Sequence, residues 1–293
     1  MNAHRLFHLA TLLTLVVVLA GCGATTSPVT QAPPTAVPAT AAPTAVPATT
    51  SPTVPPATPA TAVKDASITL TWYGQSTFAL FTGTGLKALL DPTNTGTGYK
   101  IPKLEGIELV TASHEHSDHN DVSLAAGSPV ILRGLSAGDW AKIDQMVKGV
   151  RVRTVGTYHD DAQGGKRGKN VIFVFDVDGL RVAHLGDLGH PLSPEQIKDV
   201  GPVDVILIPV GGFYTIDAKA AVEVVNQLNP KVVVPMHFKT ADLAASLAGV
   251  LAPVDDFIKA MGDKATVTEA GQTVTIERSK LPASRTIMVM KYK

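Results

Sequence analysis

Six consecutive residues, His114-Glu115-His116-Ser117-Asp118-His119, bring together three imidazoles and the carboxylate of Asp118. A chain rarely concentrates that much coordinating capacity except to hold metal. Neutral imidazole suits zinc, copper, iron and nickel, and a carboxylate adds charge and can bridge, so the set describes a mixed N/O site for a borderline divalent ion. Zinc is the default, with manganese and iron as alternatives.

The preceding stretch, Gly106 to Ala112, is short, apolar and β-branched, and reads as a buried strand that delivers the histidines at its end. Extended backbone would put His114 and His116 on one face, where both can grip one ion. Asp118 could open a helix over Asn120 to Ala126 and, with His119, face a second ion. Two adjacent ions are expected.

Further β-rich segments occur at 68–73, 78–81, 86–90, 129–132, 150–156, 171–177, 180–185, 203–210, 232–235, 266–277 and 286–291. Helical spacing appears at about Trp140–Val147, Ala218–Leu228, Ala241–Leu247 and Val254–Met261. Strands in both halves with helices between them predict an α/β protein, two sheets face to face with helices outside. Potential ligands recur where strands end: His159 after 153–158, Asp187 after 181–186, and His237 after 231–236. Strand ends cluster at one rim of a sheet, so residues distant in sequence can share a site.

The first quarter of the chain has a different character. Met1 to Arg5 carries positive charge, Leu6 to Ala20 is almost wholly apolar, and Leu19-Ala20-Gly21-Cys22 ends in small residues and a cysteine, the layout of a secretory signal. Leu-Ala-Gly-Cys resembles the bacterial lipobox, which implies a lipid-anchored protein held through Cys22 on the extracytoplasmic face of a bacterial cell membrane. Cys22 is the single cysteine of the chain, so the folded part has no disulfide and no thiolate ligand. Residues 23–63 are mostly Ala, Thr, Pro, Val and Ser without charge until the domain begins. Such a segment reads as a semi-rigid tether spanning at most on the order of 100 Å.

Residues 64–293 are enough for one well-buried domain. Basic and acidic residues balance at 25 each, with no basic run or aromatic ladder, so nucleic acid is not expected as a partner.

His-x-His-x-Asp-His at 114–119, the loop histidine at 159, Gly186-Asp187 and Pro235-Met236-His237 together resemble the metallo-β-lactamase superfamily. The likeness is to its single-domain hydrolases, which include ascorbate-6-phosphate lactonase and N-acylphosphatidylethanolamine phospholipase D. The resemblance implies a four-layer α/β/β/α sandwich. It implies that His114, His116 and His159 hold a first metal, that Asp118, His119 and His237 hold a second, and that Asp187 bridges. A water shared by two such ions loses its proton near neutral pH and would attack an ester, lactone or phosphodiester of a small, anionic substrate. Asp118 is assigned first as ligand and also as a proton acceptor.

Other residues keep two readings. Asp91 matches a position that hydrogen-bonds a ligand histidine, or simply forms a turn before Pro92. His190 could protonate a leaving group, or face solvent. Tyr214 could touch substrate or pack its loop, and Lys166, Arg167 and Lys169 are either solvated or a weak anion-binding rim. His184, of opposite strand parity to Asp187, is expected to serve packing. Against the hydrolase stands a non-catalytic zinc- or manganese-binding surface lipoprotein, for which ligands spread over strand ends are a poor design.

Overall fold

The computed structural model describes residues 66–293; the signal segment, Cys22 and the linker lie outside the described residues. In chain order the strands are β1 (Ser67–Trp72), β2 (Phe78–Thr82), β3 (Lys87–Leu90), β4 (Leu109–Ala112), β5 (Val130–Arg133), β6 (Leu135–Ser136), β7 (Asp139–Trp140), β8 (Asp144–Val147), β9 (Val150–Tyr158), β10 (Lys169–Val177) and β11 (Leu180–His184). Helix α1 (Pro194–Val200), β12 (Val205–Pro209), α2 (Ala218–Leu228), β13 (Val232–Met236), α3 (Ala245–Ala248) and α4 (Val254–Met261) follow. The chain closes with β14 (Thr266–Glu269), β15 (Thr273–Glu277) and β16 (Thr286–Val289).

One sheet has six strands in the order β15-β1-β2-β3-β4-β5, and the other has eight, β14-β16-β13-β12-β11-β10-β9-β8. Their facing sides share one core, in which Leu70, Trp72, Phe78 and Leu90 of the first sheet join Phe173, Phe175, Val182 and Leu207 of the second. Strand β1 alternates half-buried and buried residues, as a strand with one covered face should. Strands β12 and β13 are buried throughout, because parallel strands in this position are covered on both faces. Helix α2 buries Ala221, Val224 and Val225 in the same core and packs against α4. On the outer side of the first sheet, Leu89 and Val110 are covered by Ile107 and Ala125, with Leu104, Val122 and Leu124 packed against them. The result is a mixed α/β sandwich of the four-layer metallo-β-lactamase kind. Among the described residues no helix is long and apolar enough to cross a membrane.

Four local expectations are corrected. Trp140–Val147 is not a helix: Asp144–Val147 pairs antiparallel with β9 through a Lys148-Gly149 turn in which both residues have positive φ. The spacing of Trp140, Ile143 and Val147 imitates a helix, but Trp140 is held by its indole N–H, which donates to the Thr157 and Asn170 carbonyls. The expected helix over 120–126 is only a single 3₁₀ turn, Val122–Leu124, and the helix over 241–247 shrinks to Ala245–Ala248. The stretch 266–277 divides at Ala270-Gly271, and its halves enter different sheets. Helix α1 was not anticipated, although Ser193-Pro194-Glu195-Gln196 carries its signal: Ser193 and Gln196 form a reciprocal capping box with Pro194 at the first position.

Candidate metal centre

Strands β3 and β4 run parallel, as do β11, β12 and β13, while β9 is antiparallel to β10 and so points the same way as β11. The C-terminal ends of β3, β4, β9, β11 and β13 therefore deliver Asp91, the 114–119 segment, His159, Asp187 and His237 to one rim. The backbone of 113–119 is bent rather than extended, with the His119 N–H closing a turn onto the His116 carbonyl at 3.0 Å. The bend still brings His114 and His116 together.

Asp187 is the hub. Its Oδ2 lies 3.1 Å from His159 Nε2, 3.2 Å from His119 Nε2, 3.5 Å from His237 Nε2 and 3.9 Å from His114 Nε2. His114 Nε2 and His116 Nδ1 are 3.1 Å apart, and His119 Nε2 is 3.6 Å from Asp118 Oδ2. Tetrahedral ligands about 2.05 Å from a zinc ion are separated by about 3.3 Å. His114, His116 and His159 form one group and Asp118, His119, Asp187 and His237 another, with the donor atoms of each group within 4.8 Å of one another.

Proton bookkeeping favours cations in this cluster. Ser113 Oγ gives its proton to Asp91 Oδ2, so its lone pair accepts from His114 Nδ1–H at 3.0 Å and leaves His114 Nε2 bare. His119 Nδ1–H donates to Asp91 Oδ2 at 2.8 Å, so His119 Nε2 also presents a lone pair toward the Asp187 carboxylate. Facing acceptors repel unless a positive charge sits between them. His119 Nε2 and Asp187 Oδ1 are buried without hydrogen-bond partners, as are His159 Nδ1 and His237 Nδ1. A proton is the fallback. Burial disfavours charge on His119, yet the carboxylates of Asp187 and Asp118 outweigh it and hold the imidazolium well above its ordinary range. Burial raises the Asp187 carboxyl, but His119, His237 and His159 hold it well below its usual value. Burial, reinforced by His119, keeps His114 neutral, and burial with His159 does the same for His116, as metal ligation requires.

One carboxylate thus braces both halves of the site. Asp91, wholly buried and at φ 43°, fixes His119 directly and His114 through Ser113, whose N–H it also accepts at 2.9 Å. The hydrogen-bonding reading of Asp91 therefore holds over the turn reading. Changing Asp91→Asn, which tolerates the left-handed backbone, is expected to weaken metal binding about 10- to 100-fold with the fold retained. Calorimetric zinc titration alongside circular dichroism measures both.

Two supports, Asn170 and Gln75, lacked an obvious sequence signal, while Gly186 stood in the Gly186-Asp187 motif. Asn170 Oδ1 accepts the Asp187 N–H at 3.0 Å while its amide donates to Thr157 Oγ1 and the Leu185 carbonyl. Gly186, at φ 55°, lets that amide approach: a Cβ there would lie 2.3 Å from Asn170 Oδ1. Gln75 donates from Nε2 to Asp118 Oδ2 at 3.2 Å, and its carbonyl accepts the His237 N–H at 3.2 Å.

The remaining residues separate clearly. His184 is structural, donating from Nε2 to the Ser76 carbonyl and accepting the Gly186 N–H, and so ties the two sheets together. His190 is not brought to the cluster. Its Nε2 accepts the Tyr158 N–H, its Nδ1–H donates to the Pro191 carbonyl, and no ring nitrogen remains to protonate a leaving group. Glu115 faces outward to Arg133 and Asn120. Lys169 pairs with Asp139, whereas Lys166, Arg167 and Tyr214 line the same cavity of about 490 Å³ as His116, Asp118 and Asp187.

The family profile described as the β-lactamase superfamily domain matches residues 69–237. A UPF0173 metal-dependent hydrolase of Thermoplasma acidophilum is 29% identical over 60% of this chain and 86% of its own length. Another, from Archaeoglobus fulgidus, is 30% identical over 59% and 84%. Among solved structures, one from Thermotoga maritima assigned to the Zn-dependent hydrolases of the metallo-β-lactamase superfamily is 37% identical, covering 76% of this chain and 98% of that one with a TM-score of 0.59. Igni18, a metallo hydrolase of Ignicoccus hospitalis, is 26% identical with a TM-score of 0.52, covering 72% and 99%. The matched span holds every residue of the metal cluster from His114 to His237, and the chain belongs to the metallo-β-lactamase superfamily as a metal-dependent hydrolase.

Proposed function

We propose that the chain hydrolyses an ester, lactone or phosphodiester bond with two divalent cations, zinc first among them, shared between the two ligand groups through Asp187. The observation that carries this reading is the convergence of four imidazole nitrogens on one Asp187 oxygen within 3.1–3.9 Å. Cations bound there would lower the pKa of water and polarise the oxygen of the group under attack.

The chain's own residues orient and enclose. Asp91, Ser113 and Asn170 hold the ligands in one tautomer and one direction, so little reorganisation accompanies the reaction. Gln75 fixes one oxygen of Asp118, whose carboxylate lines the cavity, where it would accept a proton from the attacking water and return it to the leaving group as the bond breaks. His116 and Asp118 stand at the open side, while His114, His119, His159 and His237 are almost fully buried. Burial and outside hydrogen bonds oppose ready metal release, which disfavours the storage protein.

The same proposal places the enzyme on the extracytoplasmic face of a bacterial membrane, anchored by lipid on Cys22 and spaced from it by residues 23–63. The motif Leu19-Ala20-Gly21-Cys22 supports this. Assay of the zinc- or manganese-loaded protein against phosphodiester and lactone panels should show turnover that His116→Ala lowers at least about 100-fold, as loss of several kcal/mol of charge stabilisation requires. Equal rates for wild type and variant would overturn the reading.

A further inference from the structure

We infer that the basic loop beside the metal cavity is a separate oxyanion-recognition subsite, which selects substrates carrying a carboxylate or phosphate group remote from the bond that is cleaved. The inference rests on the hydrolase reading and adds to it where a second part of the substrate is held.

The loop is built around a buried charge. Asp160 is 3% exposed and among the described residues has no cationic side chain as partner; instead its Oδ1 accepts the N–H groups of Ala162 and Gly164, and its Oδ2 those of Lys166 and Arg167, at 2.6–2.9 Å. Four backbone donors are drawn inward, so the neighbouring side chains of Lys166 and Arg167 are displayed from a fixed frame rather than a loose one.

Arg167 is half-buried, and its guanidinium lies 5.5 Å from the centre of the Tyr214 ring. Among the described residues it has no carboxylate partner. Among the described residues its guanidinium makes no hydrogen bond, so its N–H donors are free to match the two oxygens of a carboxylate or phosphate. Lys166 is paired with Asp161 at 2.6 Å, but both groups are exposed, and such a pair is weak enough to yield to a ligand. A partly desolvated cation without a counter-charge is unfavourable unless something anionic completes it.

Position supplies the link to the reaction. Lys166, Arg167 and Tyr214 line the metal cavity together with His116 and Asp118 and also line a second cavity of about 530 Å³ that includes Phe213. They form the partition between the two spaces. A substrate whose reacting group reaches the cluster would set a remote anion against this partition.

The test uses the full-length, zinc-loaded chain and a matched series of esters that differ only in a remote substituent: neutral amide, carboxylate or phosphate. The wild type should prefer an anionic member over the amide in kcat/KM, and Arg167→Met should cut that preference about tenfold or more, chiefly through KM, as loss of a charge-assisted pair demands. Arg167→Lys should restore part of it. Which anionic member is preferred identifies the oxyanion. An unchanged preference in Arg167→Met, or no preference in the wild type, overturns the inference while leaving hydrolysis intact. If no ester is cleaved, the ester arm of the hydrolase reading fails and the lactone and phosphodiester panels decide the rest of it. Calorimetric titration of the chelator-treated protein with inorganic phosphate then decides: binding lost in Arg167→Met supports the subsite, and absent or Arg167-independent binding sinks it.

Discussion

Asp187→Ala is expected to leave fewer than two metals per chain and to reduce hydrolysis by about 1,000-fold or more. Four imidazole nitrogens converge on one oxygen of this side chain, whereas the other carboxylate of its group, Asp118, joins His119 and His237 but not the group of His114, His116 and His159. With two cations held as proposed, removing it would take a negative charge from between them, raise their mutual repulsion and open the link between the two ligand groups. Loss of one metal's contribution of several kcal/mol corresponds to three or more powers of ten in rate. Inductively coupled plasma mass spectrometry on protein purified without added metal reports stoichiometry, and kcat/KM on the best substrate reports the rate. A variant that keeps two metals and wild-type turnover would remove Asp187 from the centre of the mechanism.

Asp160→Ala should cost about 2–4 kcal/mol of stability. Four backbone N–H groups lose their shared acceptor, and an unsatisfied buried donor costs about 1–3 kcal/mol. The sum falls short of additive because Lys166 lies in an exposed stretch where water can replace the carboxylate. The effect has a pH signature. Burial alone would raise the Asp160 carboxyl, but the N–H groups of Arg167, Lys166, Ala162 and Gly164 outweigh it and bring it from 3.8 down to about 2. A carboxyl depressed in the folded state contributes stability that is complete above its unfolded value and disappears as pH falls through the folded one. The stability difference between wild type and variant should therefore be flat above about pH 5 and narrow between about pH 4 and pH 2, as urea melts at each pH would show. A gap that is unchanged at pH 2 would mean that the carboxylate's charge is not what organises the loop.

Much of the ligand cluster was legible because imidazoles are sparse and their positions at strand ends are conspicuous. The segment 114–119, His159, Asp187 and His237 all follow apolar runs whose two-residue period or full burial is visible in the letters. The helix expected over Trp140–Val147 shows where local pattern misleads: its apolar spacing satisfies a helix, yet pairing with β9 and a Trp140 hydrogen bond to a strand seventeen residues away decide otherwise. His190 fails for a related reason. A histidine three residues from Asp187 is near it in sequence, but two backbone groups claim both its nitrogens.

Taken alone, the letters determined the α/β class, the strand-end supply of ligands and the identity of the atoms able to bind metal, because side-chain chemistry and periodicity are local properties. Only the tertiary structure decided that Asp187 Oδ2 is the common point, that Asp91 governs two histidines at once, and that Gln75, Asn170 and Arg167 belong beside the cluster. Those are facts of distance between strands separated by tens to more than a hundred residues, and hydrogen bonding and charge act over a few ångströms of space rather than along the chain.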